Sequence, residues 1–427
     1  GAVDIAPFSA LWQRIDATWL EAVKYSNPLA FVSSATLLDW MPIVFDALIL
    51  FLFMRMTTSE TLRRLAKAIL IAVPLATLTW WIGADLLRDV LLTQIQLGRI
   101  FWPMHLLAAM ALPVVVVSWW RRDAVGRWAA SAVCLAGLAV SSNWPTGWLC
   151  LVWAVLSLAA TRSPKPLSPS IARLAVIASG MAMFAVSAKV LRDTVSAVML
   201  SPQRFDDIGL APIVLSLPFV AAALAGGLLV LAHRRALLAP AALLTTALVA
   251  YGCTMWDERS SWQRILEAGP PGGVRLFDDV LPAGASTYWQ GEEILASWLL
   301  AQRADFYAYT QGGGLLFSRA TSMEFMRRRQ IMFLLEFQQG LCSEINMMVN
   351  GGGASNSCDV SSEVVDMACA NPGHPDYLVL TSSLPARAPL AQWHPPAVVT
   401  ARGAPSFYLY RCAVAQDPGT PARTTKP

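Results

Sequence analysis

The chain has 427 residues, of which 56% are hydrophobic and only 14% charged, with 17 Trp and a formal net charge of +4. A mean hydropathy of +0.49 belongs to a polytopic membrane protein and argues against an ordinary soluble domain of this size. The small positive balance is accounted for by loop placement, so no nucleic-acid partner is called for.

The opening residues GAVDIAPF carry neither an initiator Met nor a signal peptide and read as the interior of a longer protein. Over residues 8 to 23, Phe8, Leu11, Trp12, Ile15, Trp19, Leu20 and Val23 recur at helical spacing, with Gln13, Arg14, Asp16, Glu21 and Lys24 elsewhere on the wheel. This predicts an amphipathic helix lying on the membrane surface, within an extracytoplasmic segment 1–38. A transmembrane helical domain follows over 39–256, with eight spans at about 40–56, 68–84, 101–120, 128–142, 148–160, 174–190, 210–232 and 237–255.

The third span anchors the orientation. Phe101 to Trp120 carries no charge and, as a helix, matches the roughly 30 Å hydrocarbon core. Trp119 and Trp120 sit at interface depth before Arg121, Arg122 and Arg127, which mark the cytoplasmic end. Gln94 to Arg99 is then on the outer side. The clusters Arg55/Arg63/Arg64/Lys67, Arg162/Lys165/Arg173 and Arg234/Arg235 fall on alternate turns and agree, so both termini are expected outside. The fourth and fifth spans form a hairpin turned at Asn143 to Gly147, each short for a full crossing.

Beyond Trp256 charge rises and apolar runs shorten, and Gly269-Pro270-Pro271-Gly272-Gly273 marks the edge of an extracytoplasmic α/β domain over 257–416. Strands are expected at 286–289, 377–381, 397–400 and 406–411, helices at 292–303 and 323–339, and a disordered tail at 417–427. Cys134, Cys150 and Cys253 fall in spans and read as free thiols. Cys342, Cys358, Cys369 and Cys412 all fall in the outer domain. They allow three pairings, of which Cys342–Cys358 with Cys369–Cys412 is preferred.

No phosphate-binding Gly loop, nucleophile elbow or metal-ligand cluster is present. Gly312–Gly314 and Gly351–Gly353 lack flanking Lys, Ser or Thr and read as turns, and His374 alone makes no zinc site. Polar residues instead gather at the outer ends of the spans. In Asp85 to Arg99, Leu87, Val90, Leu91, Gln94, Ile95 and Gly98 share one helical face, which would lie along the interface and present Gln96 and Arg99 to an outer cavity. A guanidinium there suits a lipid phosphate, against the simpler reading that Arg99 snorkels to headgroups.

Asp46, inside the first span, is either functional or bonded to a neighbouring helix. His105 is expected to pack or to bond a backbone carbonyl. Trp289, Trp298, Tyr307 and Tyr309 offer flat faces to sugar rings, although a core role is favoured for them.

The runs LWQRIDATWLEAV, NPLAFVSS, LLDW and LLTQIQLGRIFW resemble those of bacterial inner-membrane proteins related to the GT-C glycosyltransferases. So do LPAGASTYW and SWLLAQRADFYAYTQGGGLLFSRATSMEFMRRR in the outer part. The resemblance is one of architecture and scattered short runs over most of the chain. It implies a multi-pass protein of the bacterial inner membrane with its C-terminal domain in the periplasm. The implied reaction transfers a sugar from a polyprenyl-phosphate carrier to a glycan or lipid acceptor.

In that reading Asp16 or Asp39 is the catalytic carboxylate, and Arg14, Gln96, Arg99 and Arg204 bind the substrate phosphate. The family's main carboxylate sits in the first outer loop, which is expected upstream of Gly1 or within 1–38. The sequence fixes no cofactor, a divalent cation being the one candidate. The rival readings are a non-catalytic membrane scaffold or partial chain of such an enzyme, and a transporter or flippase of a lipid-linked or polar substrate. The latter would place its cavity at the bilayer midplane.

Overall fold

The computed structural model describes residues 13–141, 146–163, 167–200, 238–254, 261–269, 273–290, 294–350, 359–395 and 406–412. They form two compact units. One holds the helices up to Val195, and the other holds all the strands and everything described after Thr245.

The first unit begins with helix α1, Ala17–Ser26, where the Asp16 carboxylate caps the helix by accepting from Trp19 N. The cap starts the helix later than the hydrophobic spacing predicts. Its apolar side, Trp19, Ala22 and Val23 with Ile15 ahead of it, is buried against protein. Two short 3₁₀ turns, Pro28–Ala30 and Val32–Ser34, lead into α2, Leu37–Met56. Helix α3, Glu60–Trp80, starts earlier than its apolar run because Ser59 caps it and Glu60 pairs with Arg63 and Arg64. It runs on into a π-helical turn, Trp81–Leu87.

A short helix α4, Val90–Gln94, and a 3₁₀ turn, Leu97–Ile100, precede α5, Phe101–Trp120. Helices α6, Ala124–Ser141, α7, Gly147–Ala160, and α8, Pro169–Leu200, follow. The core is a contiguous set from α2, α5, α6 and α7, in which Met41, Phe45 and Ile49 meet Met104, Ala108 and Ala111 and the alanines of α6. Small residues on α6 let the surrounding helices approach closely.

Among the described residues, five helical stretches are long and apolar enough to cross a membrane: Leu37–Met56, Glu60–Leu87, Val90–Trp120, Ala124–Ser141 and Pro169–Ser196. Large apolar side chains stay exposed on them, Trp102, Leu106 and Met110 among others, as on a helical membrane protein. They correspond to the first, second, third, fourth and sixth of the eight expected spans. The fifth is the shorter apolar helix Gly147–Ala160. The eighth corresponds to the 17-residue helix α9, Leu238–Thr254, while the seventh lies outside the described residues, as does the expected tail. Helix α8 continues past the expected end of its span, where Asp193 pairs with Lys189 and Arg192 on its surface.

The second unit is an α/β arrangement on a five-stranded sheet. After helix α10, Ser261–Ala268, come β1, Ser286–Trp289, a π-helical turn, Ala296–Ala301, and β2, Ala304–Asp305. A 3₁₀ turn, Tyr309–Gly314, then leads to α11, Arg319–Asn350, and α12, Ser362–Ala370. Strands β3, Tyr377–Leu380, β4, Ala391–Trp393, and β5, Phe407–Arg411, complete the sheet. The order is β2-β1-β3-β5-β4, with β1 parallel to β2 and β3, and β5 antiparallel to β3 and β4. The expected strand at 397–400 falls outside the described residues, and β4 is an edge strand that the sequence did not signal.

Trp289 and Phe407 pack with Leu300, Val379 and Leu409 in the core. Cys369, at the end of α12, is disulfide-bonded to Cys412, just beyond β5. The other expected pair, Cys342 with Cys358, involves side chains outside the described set.

Candidate functional site

The segment from Asp85 to Arg99 is not the single amphipathic helix its pattern suggests. It is broken by left-handed backbone at Arg88 (φ 54°) and Gln96 (φ 51°), and its polar groups are used to tie chain to chain. The Asp85 carboxylate accepts from Val32 N at 2.9 Å and Ser33 N at 3.2 Å, which pins the loop ahead of α2. Asp89, 3% exposed, caps α4 through Leu92 N. The main chain beside it bonds Ile15 and Gln13, so that Arg14 and Asp89 form a β-bridge. The buried Trp80 indole donates to Ala30 O at 2.7 Å. Gly83 lets Leu92 pack over the π-turn, since a Cβ there would stand 2.6 Å from Leu92 Cβ.

These ties shape a cleft of about 540 Å³ at the end where α2 and α5 begin and α3 finishes. Asp39, Gln96 and Arg99 line it, together with Trp40, Ile43, Trp80, Phe101 and Trp102. Phe101 is the centre of the aromatic wall, edge-on to both Trp40 and Trp80 at 6.2 Å. Gly98 brings the backbone against Trp80, because a Cβ would lie 3.1 Å from the indole ring.

Asp39 and Arg99 are each held by one part of the side chain. Asp39 is the third residue of α2, and its Oδ2 accepts from Thr36 N and Thr36 Oγ1, both at 2.7 Å. Among the described residues, Oδ1 has no partner. Arg99 donates from Nε to Gln96 Oε1 at 2.8 Å, and among the described residues both terminal nitrogens of the guanidinium are without a partner. Asp39 and Arg99 share the cleft without forming an ion pair, so a carboxylate oxygen and a guanidinium edge are both available to a ligand. The left-handed Gln96 costs on the order of 1–2 kcal/mol of backbone strain. That strain is spent where the Gln96 amide orients Arg99.

The other sequence candidates lie elsewhere. Asp16 is the α1 cap and Arg14 is an exposed residue of the β-bridge, and neither lines the cleft. Arg204 lies outside the described residues. Asp46, 5% exposed, accepts from or donates to His105 Nδ1 at 3.0 Å, so His105 bonds a carboxylate of α2 instead of a backbone carbonyl. Among the described residues no three His, Cys, Asp or Glu side chains come together as metal ligands. The cleft's single carboxylate gives a divalent cation no second ligand of its kind.

The aromatic wall escaped the sequence reading. Trp40, Trp80, Phe101 and Trp102 look like an interfacial belt when taken one span at a time. Comparison with protein families, characterised proteins and solved structures finds no match. What the cleft does is therefore read from its own geometry.

Proposed function

We propose that the chain is a membrane glycosyltransferase of the outer face of a bacterial inner membrane, taking its sugar from a polyprenyl-phosphate carrier. The observation that carries this reading is the convergence of Asp39, Gln96 and Arg99 in one aromatic-walled cleft at the ends of two spans. A phosphate accepts bidentate bonds from the free guanidinium edge of Arg99, whose Nε is already fixed by Gln96. The indoles beside it suit the first carrier units on one side and a sugar ring on the other.

In the transfer step Asp39 Oδ1 takes the proton of the acceptor hydroxyl as its oxygen bonds the anomeric carbon. The bond from that carbon to the phosphate oxygen breaks, the phosphate leaves with the electron pair, and Arg99 neutralises it. No step runs through a metal. A cleft at the span ends supports transfer over transport, which needs its site near the bilayer midplane.

Binding of a polyprenyl phosphate to the purified full chain, followed by native mass spectrometry, tests the reading. Arg99→Ala is expected to weaken binding about tenfold or more, corresponding to loss of a charge-assisted pair of 1.5–3 kcal/mol. Arg99→Lys is expected to recover only part of it, because an ammonium cannot bond bidentately. Equal binding by all three proteins would remove the reading's support.

A further inference from the structure

The second unit has a cleft of its own, of about 520 Å³, at the carboxyl end of β2. Ligands of α/β sheets favour this side of the strands. One wall is Trp298, on the π-turn that links β1 to β2, with 51% of its surface exposed. The opposite wall is the first three turns of α11, where Thr321, Glu324 and Arg328 line the cleft. Of the four aromatics that could have formed a platform, Trp289 and Tyr307 are core residues, 0% and 1% exposed. Trp298 is therefore a flat face left open beside polar groups.

Those groups are held in place before any ligand arrives. Arg328 lies over the Phe306 ring, donates from Nη1 to Phe306 O at 3.0 Å and from Nε to Glu324 Oε1 at 2.7 Å. Arg327 bonds both oxygens of the same carboxylate, which holds Glu324 down at about 2. The Gln311 amide, which also lines the cleft, is tied to Asp305 Oδ2 at 3.1 Å. Among the described residues, what remains for a ligand is Nη2 of Arg328, the exposed Thr321 hydroxyl and spare acceptor capacity on Glu324, donors and acceptors side by side.

The lining itself holds one guanidinium and one carboxylate, with Arg327 placing a second guanidinium on that same carboxylate. A pyranose ring matches the set, because it offers an apolar face for an indole and adjacent hydroxyls that both donate and accept.

We infer that this cleft is a saccharide-binding site, with the ring stacked on Trp298 and its hydroxyls bonded by Thr321, Glu324 and Arg328. The inference goes beyond the transfer reading and does not need it: loss of carrier binding in Arg99→Ala would leave it standing. The test is saturation-transfer NMR on the full chain in lipid nanodiscs. The probes are the methyl glycosides of glucose, mannose, galactose and N-acetylglucosamine, with inorganic phosphate, followed by phosphorus-31 line broadening, as the ionic control.

Transfer to the ring protons of at least one glycoside is expected. Trp298→Ala should reduce affinity about fivefold, and Trp298→Phe should restore most of it. Thr321→Val, which leaves the aromatic wall intact, should also weaken binding. No transfer to any glycoside, transfer that Trp298→Ala leaves unchanged, or binding of phosphate alone would each overturn the inference.

Discussion

Asp305 ends β2 with 6% of its surface exposed, its carboxyl bonded to Ser297 Oγ at 2.8 Å and to the Gln311 amide. Burial raises it from 3.8 to about 7, against the weaker opposing pulls of Ser297 and of the Arg328 charge. A carboxyl whose folded value lies above its unfolded one favours the protonated form. Its contribution to stability is therefore fully present below the unfolded value near 3.8 and is lost as pH rises from there through about 7. The loss is of the order of 4 kcal/mol, at 1.36 kcal/mol per pH unit. Urea unfolding of the second unit, followed by near-ultraviolet circular dichroism, should show a midpoint that falls between pH 4 and pH 8. Asp305→Asn should flatten that dependence, and a variant as pH-sensitive as the parent would contradict the assignment.

At the scale of elements, the disulfide fastens the far side of the sheet. Cys369 and Cys412 are 43 residues apart, and closing a loop of that length removes about 4 kcal/mol of chain entropy from the unfolded state. Replacing both by Ser should lower the urea midpoint of the second unit accordingly, and amide exchange should open β5 before β1. An unchanged midpoint would show that the link adds nothing.

Which elements were legible follows from the same local-versus-distant division. Phe101–Trp120 matched its expectation because an uncharged run bounded by Trp and Arg needs no neighbour to be read. This cysteine pair matched because it falls at the ends of a helix and a strand. The stretch before Phe101 was not legible as a helix broken into pieces. Its breaks depend on bonds to residues about fifty positions away, such as Asp85 to Val32 and Trp80 to Ala30. Strand β4 is three residues long and exists through its pairing with β5.

For the whole molecule, alternating basic clusters and long apolar helices made the membrane class visible from composition alone. Asp39, Gln96 and Arg99 could be singled out as polar residues near span ends, while Asp16 and Arg14, chosen by the same criterion, turn out to cap and bridge. A one-dimensional charge pattern says which end of a span a residue occupies, but not which side chains meet there. That meeting is decided by Trp80, Gly98 and Phe101, residues without charge.

The claim that most depends on it is that a carrier's phosphate sits against Arg99 between the heads of α2 and α5. Photo-crosslinking with a polyprenyl phosphate carrying a diazirine next to the phosphate, followed by peptide mapping, tests this directly. The label is predicted on residues 26–43 and 96–102, and to be lost in Arg99→Ala. A label confined to the middle of the spans or to the second unit would contradict it.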